Sequence, residues 1–235
     1  MFHVDEKIYK KDLRFLILSD IGMDYVRDLS LVYMLFRIFE FYTVVGFFMI
    51  IPQLREKTAF YHQQVEENSL LSRLLGDLTL QDYIEILKKF YGFYFPLEKQ
   101  YIPESLKKNA ELKDYFYPKL KLLERDLKVF LPTVSNLPVC PACPNPESPF
   151  GWLGVFYTLE GSCHGRAMLW PRIHRKLGIE KGHTFFSGAS DDLKVRWGKF
   201  CQKMTDLVTS EAEKEAVIQG SVETFISLNK WFDLK

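Results

Sequence analysis

Two patterns in this sequence have the residue types and spacing to do chemistry. In LREKTAFYHQQVEEN, residues 54–68, His62 has Thr58 four residues before it and Glu66 four residues after, one helical turn away on either side. A neutral imidazole can bind a transition metal through one ring nitrogen, while a carboxylate a turn away accepts the other N–H and fixes the tautomer. In GVFYTLEGSCHGRAMLW, residues 154–170, Gly161 and Gly165 lie a turn apart in a segment flanked by Phe156, Leu159, Met168 and Leu169. Each interior glycine costs a helix about 1 kcal/mol against alanine, and two on one face bare a flat strip of backbone. A third pattern, Cys140 and Cys143 as C-x-x-C, has the spacing of half a zinc site or of a redox pair. Cys163 and His164 do not supply the missing half, because adjacent helical residues point about 100° apart. A reduced loop pair is the simpler reading.

Each pattern also has an ordinary use. An inward histidine is commonly a core residue with a hydrogen-bond partner, and paired glycines commonly serve close helix packing. The elements that carry them are therefore informative. After Pro52 the apolar periodicity is helical almost throughout, with little strand alternation. Leu54, Thr58, Tyr61 and Val65 form one stripe with His62 within it, which predicts an inward imidazole on a helix over about 54–75. Thr79 and Asp82 read as a capping box opening a core helix that bends or ends at Pro96. A further helix is expected over about 104–131, one over 152–177, one from Ser190 or Asp191 to Val208, and a last one opened by Ser210 and Glu213. Residues 132–149 hold six of the chain's eleven prolines and are read as a surface connection. Long helices joined by short loops give an all-α bundle.

Composition narrows the classes. The 235 residues suit one large domain, and 15% aromatic content, with 20 Phe and 12 Tyr, favours a core able to wall a flat apolar ligand. The 31 basic and 30 acidic side chains are interspersed, so no face is set aside for nucleic acid. Four cysteines without a cleavable signal peptide point to a reducing compartment, with cytoplasm the default. Residues 31–51 are apolar and long enough to span a bilayer, but Arg37 and Glu40 sit mid-segment, which favours a buried or docking helix over a membrane anchor. The organisation expected is an N-terminal extension over 1–51 and a domain over 52–235. His3, His174 and His183 have no partner pattern, and Cys201 reads as packing on an amphipathic helix.

Taken together, an inward imidazole on one helix and a glycine-faced helix a hundred residues later fit the two sides of a planar iron cofactor, with room left for a small gas. LREKTAFYHQQVEEN resembles the proximal helix of the haem oxygenase family, its Thr-x-x-x-His-x-x-x-Glu pattern met by Thr58, His62 and Glu66. YIEILKKFYGFYFPLEKQ, the LP-x-C linker from Leu137 to Cys140, LGVFYTLEGSCHG and GHTFFSGASDDLKVRWGKF are similar, in order, to later blocks of the bacterial, biliverdin-producing branch, over about residues 52–208.

The resemblance implies haem held between proximal and distal helices, with His62 as the iron ligand. It also implies oxidation of haem, at once substrate and cofactor, to biliverdin, carbon monoxide and ferrous iron. O2 and electrons from a redox partner such as ferredoxin or a flavoprotein reductase would drive it. On the same resemblance Gly161 and Gly165 are the distal glycines, Ser162 stands where animal enzymes carry a water-organising aspartate, Arg55 meets a haem propionate, and Glu66 is the histidine's partner. The chain departs from the family pattern at Arg166, where a second glycine is usual, and at His164, where an apolar or small residue is usual. Arg166 is tolerable if it faces solvent, though a close approach of the backbone there is put in doubt. His164, three residues from Gly161, is expected to bond elsewhere; if it reached the iron, both axial sites would be filled and the protein would bind or sense haem without turning it over.

Overall fold

The computed structural model describes residues 50–108, 113, 116–188 and 193–234. The expected apolar segment 31–51 lies outside these residues but for its last two. No helix among the described residues is long and apolar enough to cross a membrane. Every regular element among them is helical.

The first helix, α1 (Ile50–Glu66), buries Ile50, Leu54 and Thr58 on one stripe. It ends sooner than the periodicity suggests, and a separate 3-10 turn follows at Leu71–Leu74. Asn68 accounts for the stop: its Oδ1 accepts from Leu70 N at 3.1 Å, and its Nδ2 donates to Asn229 and Asp233 near the chain's end. Thr79 and Asp82 form the expected capping box of α2 (Leu80–Pro96), and the Arg73 guanidinium adds an ion pair to the same carboxylate. At Pro96 the chain does not stop but passes through a π-helical turn, Leu97–Tyr101, into α3 (Ile102–Lys108).

The helix expected over 104–131 is not continuous. Residues 116–119 are irregular and α4 spans only Leu120–Phe130; Pro118 removes a donor and cannot sit inside a helix without cost. Asp126 of α4, almost fully buried, accepts from the backbone N–H groups of Thr184 and Phe185 and so caps the short α6 (Thr184–Ser187).

The 29-residue α5 (Pro149–Leu177) starts at a Ser148 cap with Pro149 in the first turn and ends at left-handed Gly178. Then come α7 (Leu193–Leu207) and α8 (Glu211–Asp233), the latter opened by the expected Ser210–Glu213 box. α8 packs chiefly against α5 and α1. The α5–α8 crossing is made of small residues: a Cβ on Gly154 would overlap the Val217 carbonyl, and one on Gly220 would overlap that of Gly151. Thr158 and Ser221 hydroxyls meet at 2.8 Å in the same seam.

Candidate functional site

That seam places the two sequence patterns beside each other. Ser221 of α8 bonds to Thr158 of α5, one turn before the segment Gly161–Ser162; Phe225, one turn beyond Ser221, meets the His62 ring edge-on at 5.5 Å. The Arg55 guanidinium of α1 lies near the Tyr157 hydroxyl of α5 and near Cys201 of α7. Four helices thus bound the site.

His62 is not inward. Its side chain is 57% exposed, at the margin of the α1 stripe, with Nδ1 3.5 Å from Glu66 Oε1. The buried member of the trio is Thr58, whose hydroxyl donates to Leu54 O at 2.6 Å and is therefore engaged within its own helix. The heptad-like stripe misplaced His62 because α8 covers one side of α1 and leaves the other open. An exposed imidazole with one nitrogen turned to a carboxylate presents the second nitrogen outward.

On α5, Gly161 and Gly165 continue the stripe begun by Gly154 and Thr158, but α8 no longer covers it. A Cβ on Gly165 would meet no heavy atom within 4 Å, and one on Gly161 would meet only the Trp197 indole of α7, at 3.3 Å. Close packing of helices therefore uses Gly151, Gly154 and Gly220; of the pair singled out by spacing, Gly165 is left bare and Gly161 lies against the Trp197 ring. Ser162 Oγ donates to Leu159 O at 2.7 Å and lies near the buried Tyr94 hydroxyl.

Arg166 is the clearest correction. It is buried rather than solvent-facing, donating to Phe185 O at 2.6 Å and to Cys163 Sγ at 2.8 Å, with its guanidinium over the Phe185 ring. Its direction, about 100° round the helix from Gly165, leaves the glycine strip untouched. His164 also departs from expectation: its ring lies edge-on to Trp197 at 5.6 Å, and its buried Nε2 has no hydrogen-bond partner among the described residues. Burial first, then the Lys194 charge, lowers its pKa and favours the neutral ring.

Spacing gave no sign of Trp197 or Phe225, which come from distant segments. Tyr157 stands one turn before Gly161, on the same face, and helical register alone could have found it. A cavity of about 570 Å3 lined by Glu160, Arg196, Trp197 and Phe200 shares the Trp197 wall but includes neither glycine nor His62. We take the chemistry to lie on the glycine strip, an open face, because the α8 seam that packs on its start also carries Phe225 to the His62 ring. Among the described residues no cluster of three or more His, Cys, Asp or Glu is placed to hold a bare metal ion.

The donor set fits haem. There is one exposed histidine whose other nitrogen is turned to a carboxylate, one cation in Arg55, bare backbone, and aromatic walls from Tyr157, Trp197 and Phe225.

The arrangement is that of an all-helical haem oxygenase fold. The heme oxygenase of Leptospira interrogans is similar with a TM-score of 0.64 at 20% identity, covering 78% of this chain and 98% of that one. The heme oxygenase-1 of the cyanobacterium Synechocystis, solved in complex with heme, gives 0.63 at 20% identity, covering 78% and 90%. The Neisseria meningitidis heme oxygenase, solved with NO and CO bound, gives 0.60 at 22%, covering 80% and 94%. A search of curated proteins gives no match. The heme oxygenase family model matches residues 50–233, and the chain belongs to that family.

Proposed function

We propose that this protein is a haem oxygenase that converts haem to biliverdin, carbon monoxide and ferrous iron, using O2 and electrons from a ferredoxin or a flavoprotein reductase. The observation that carries the reading is the glycine strip of α5, bare at Gly165 and faced at Gly161 by the Trp197 indole. The same stripe is packed tightly where α8 crosses it and open where His62 stands nearby. Haem supplies the iron at which O2 is reduced and the macrocycle that is opened.

The chain's own residues bind and orient it. His62 offers a nitrogen to the iron, while Glu66 holds the other ring nitrogen and raises its basicity. Arg55, beside Tyr157, pairs with a propionate carboxylate. Gly161 and Gly165 let the α5 backbone approach the ring, and Ser162, at the start of that strip, can accept a hydrogen bond from water on the distal side. Trp197 over Gly161 excludes bulk water from one edge. We place the catalytic domain at 52–235, with 1–51 as an N-terminal extension, and the protein in the cytoplasm.

A second reading rests on His164. A neutral imidazole with an unpartnered buried Nε2, three residues from Gly161, is a candidate sixth ligand, which would make the protein a haem binder or sensor with little turnover. Titration with hemin, then reduction with ascorbate or a ferredoxin system under air, separates the two. A Soret band giving way to biliverdin absorbance supports the oxygenase. A stable six-coordinate spectrum that becomes five-coordinate in His164→Ala supports the binder, and absence of a Soret band refutes both.

A further inference from the structure

The haem site makes no use of Cys140-Pro-Ala-Cys143. This part of the connection is not a loose surface loop but is clamped between α2 and α8. Cys140 N donates to Gly92 O at 2.9 Å, Cys143 Sγ lies 3.6 Å from Phe93 O, and Ser227 Oγ of α8 donates to Ala142 O at 2.5 Å. Gly92 permits the contact, since a Cβ there would overlap the Pro138 carbonyl and the Trp231 indole.

The clamp holds the two sulfurs in an unequal pair. The Cys143 thiol is hydrogen-bonded to the Cys140 sulfur, which also lies 3.9 Å from Ser227 Oγ and feels the Lys89 ammonium. Cys140 is 6% exposed, whereas Cys143 is partly open to solvent. With only two sulfurs and no further ligand cluster among the described residues, metal binding is not what the pair is built for.

We propose that Cys140 and Cys143 form a reversible dithiol–disulfide site that is oxidised by hydrogen peroxide or another small hydroperoxide. The hydrogen bond from Cys143 lowers the Cys140 pKa to about 6, while the same bond and burial push Cys143 up. Cys140 is thus a thiolate at neutral pH. It attacks one peroxide oxygen; the O–O bond breaks, the other oxygen takes a proton and leaves as water, and Cys140 becomes a sulfenic acid. The Cys143 thiol then attacks that sulfur, forming the S–S bond and releasing a second water. Two thiols lose two electrons, and the peroxide gains them. The burial of Cys140 selects for a small oxidant over a bulky disulfide. Reduction starts at the more open Cys143 sulfur, where the thiolate of a dithiol reductant forms a mixed disulfide and Cys140 leaves as thiolate.

The test uses the full chain, reduced and haem-free, exposed to hydrogen peroxide and read by intact mass and peptide mapping. The expected result is loss of two hydrogens, mapped to a Cys140–Cys143 bridge and reversed by dithiothreitol. Cys143→Ser should stall at a Cys140 sulfenic acid trapped by dimedone. Cys140→Ser should slow oxidation at the motif by about tenfold or more. The wild-type rate should rise with pH through a midpoint near 6, and Lys89→Met should move that midpoint upward. Wild-type protein in which both residues stay thiols, a bridge between Cys163 and Cys201 instead, or Cys140→Ser reacting as fast as wild type would each overturn the proposal.

Discussion

Replacing Gly165 with alanine should strengthen the protein and weaken its hold on haem. An exposed interior glycine costs its helix about 1 kcal/mol against alanine, and at Gly165 the new methyl would meet nothing within 4 Å. The haem-free variant should therefore gain about 1 kcal/mol, which in a folded unit of this size raises Tm by about 2–4 °C. If the bare strip is a wall of the haem site, the same methyl stands where the ring must lie. Overpacking of that kind costs about 1–3 kcal/mol, or roughly 5- to 150-fold in affinity. Differential scanning fluorimetry of the haem-free protein and a hemin titration on the same preparation give both numbers. A fall in Tm would show the strip to be covered. A rise in Tm with unchanged haem affinity would refute the assignment of the strip to haem.

Gly154→Ala, on the same stripe, should do the opposite and cost about 3 kcal/mol or more in urea unfolding, because its Cβ would force α5 and α8 apart at Val217. His62→Ala should remove axial ligation from the spectrum while leaving haem-free stability nearly unchanged, its side chain being largely exposed; Glu66→Gln should weaken haem iron ligation by roughly 10- to 100-fold. Lys119→Met should destabilise the fold by about 3–5 kcal/mol, measured by denaturant midpoint, since it leaves the buried Glu160 carboxylate with Arg196, 3.7 Å away, and the Tyr117 N–H, at 3.1 Å, to offset it. The Thr79 hydroxyl holds the Asp82 pKa below its ordinary value. Its contribution is thus present above the usual carboxylate range and lost as pH falls through the lowered pKa, so Tm should fall less steeply in acid for Asp82→Asn than for wild type.

What the sequence disclosed was mostly local. The two capping boxes and the proline-rich break between α4 and α5 are set by residues close to one another in sequence, and each is found where the pattern puts it. The errors came where distant segments decide. His62 shares the period of the buried stripe, yet its exposure depends on which side of α1 α8 covers. Arg166 is charged, and only the arrival of Phe185 from another helix gives it a buried carbonyl and a ring to lie on. Pro118 was the exception: a local signal that the apolar periodicity on either side of it outweighed. For the site, types and spacing picked out His62, Glu66, Gly161 and Gly165, but the aromatic walls come from segments with no spacing relation to them.

The manner in which α8 closes the molecule bears on how the protein folds. Asn229 and Asp233 hold the residue that ends α1, the Trp231 indole donates to Lys89 O, and Phe225 stands against His62. These pairings join residues 142 to 165 positions apart, and so form only when α8 docks on segments far from it in sequence. Docking α8 therefore carries the loop-closure cost of a long intervening chain, and a molecule in which it fails loses the stop of α1 and the ring beside His62 together.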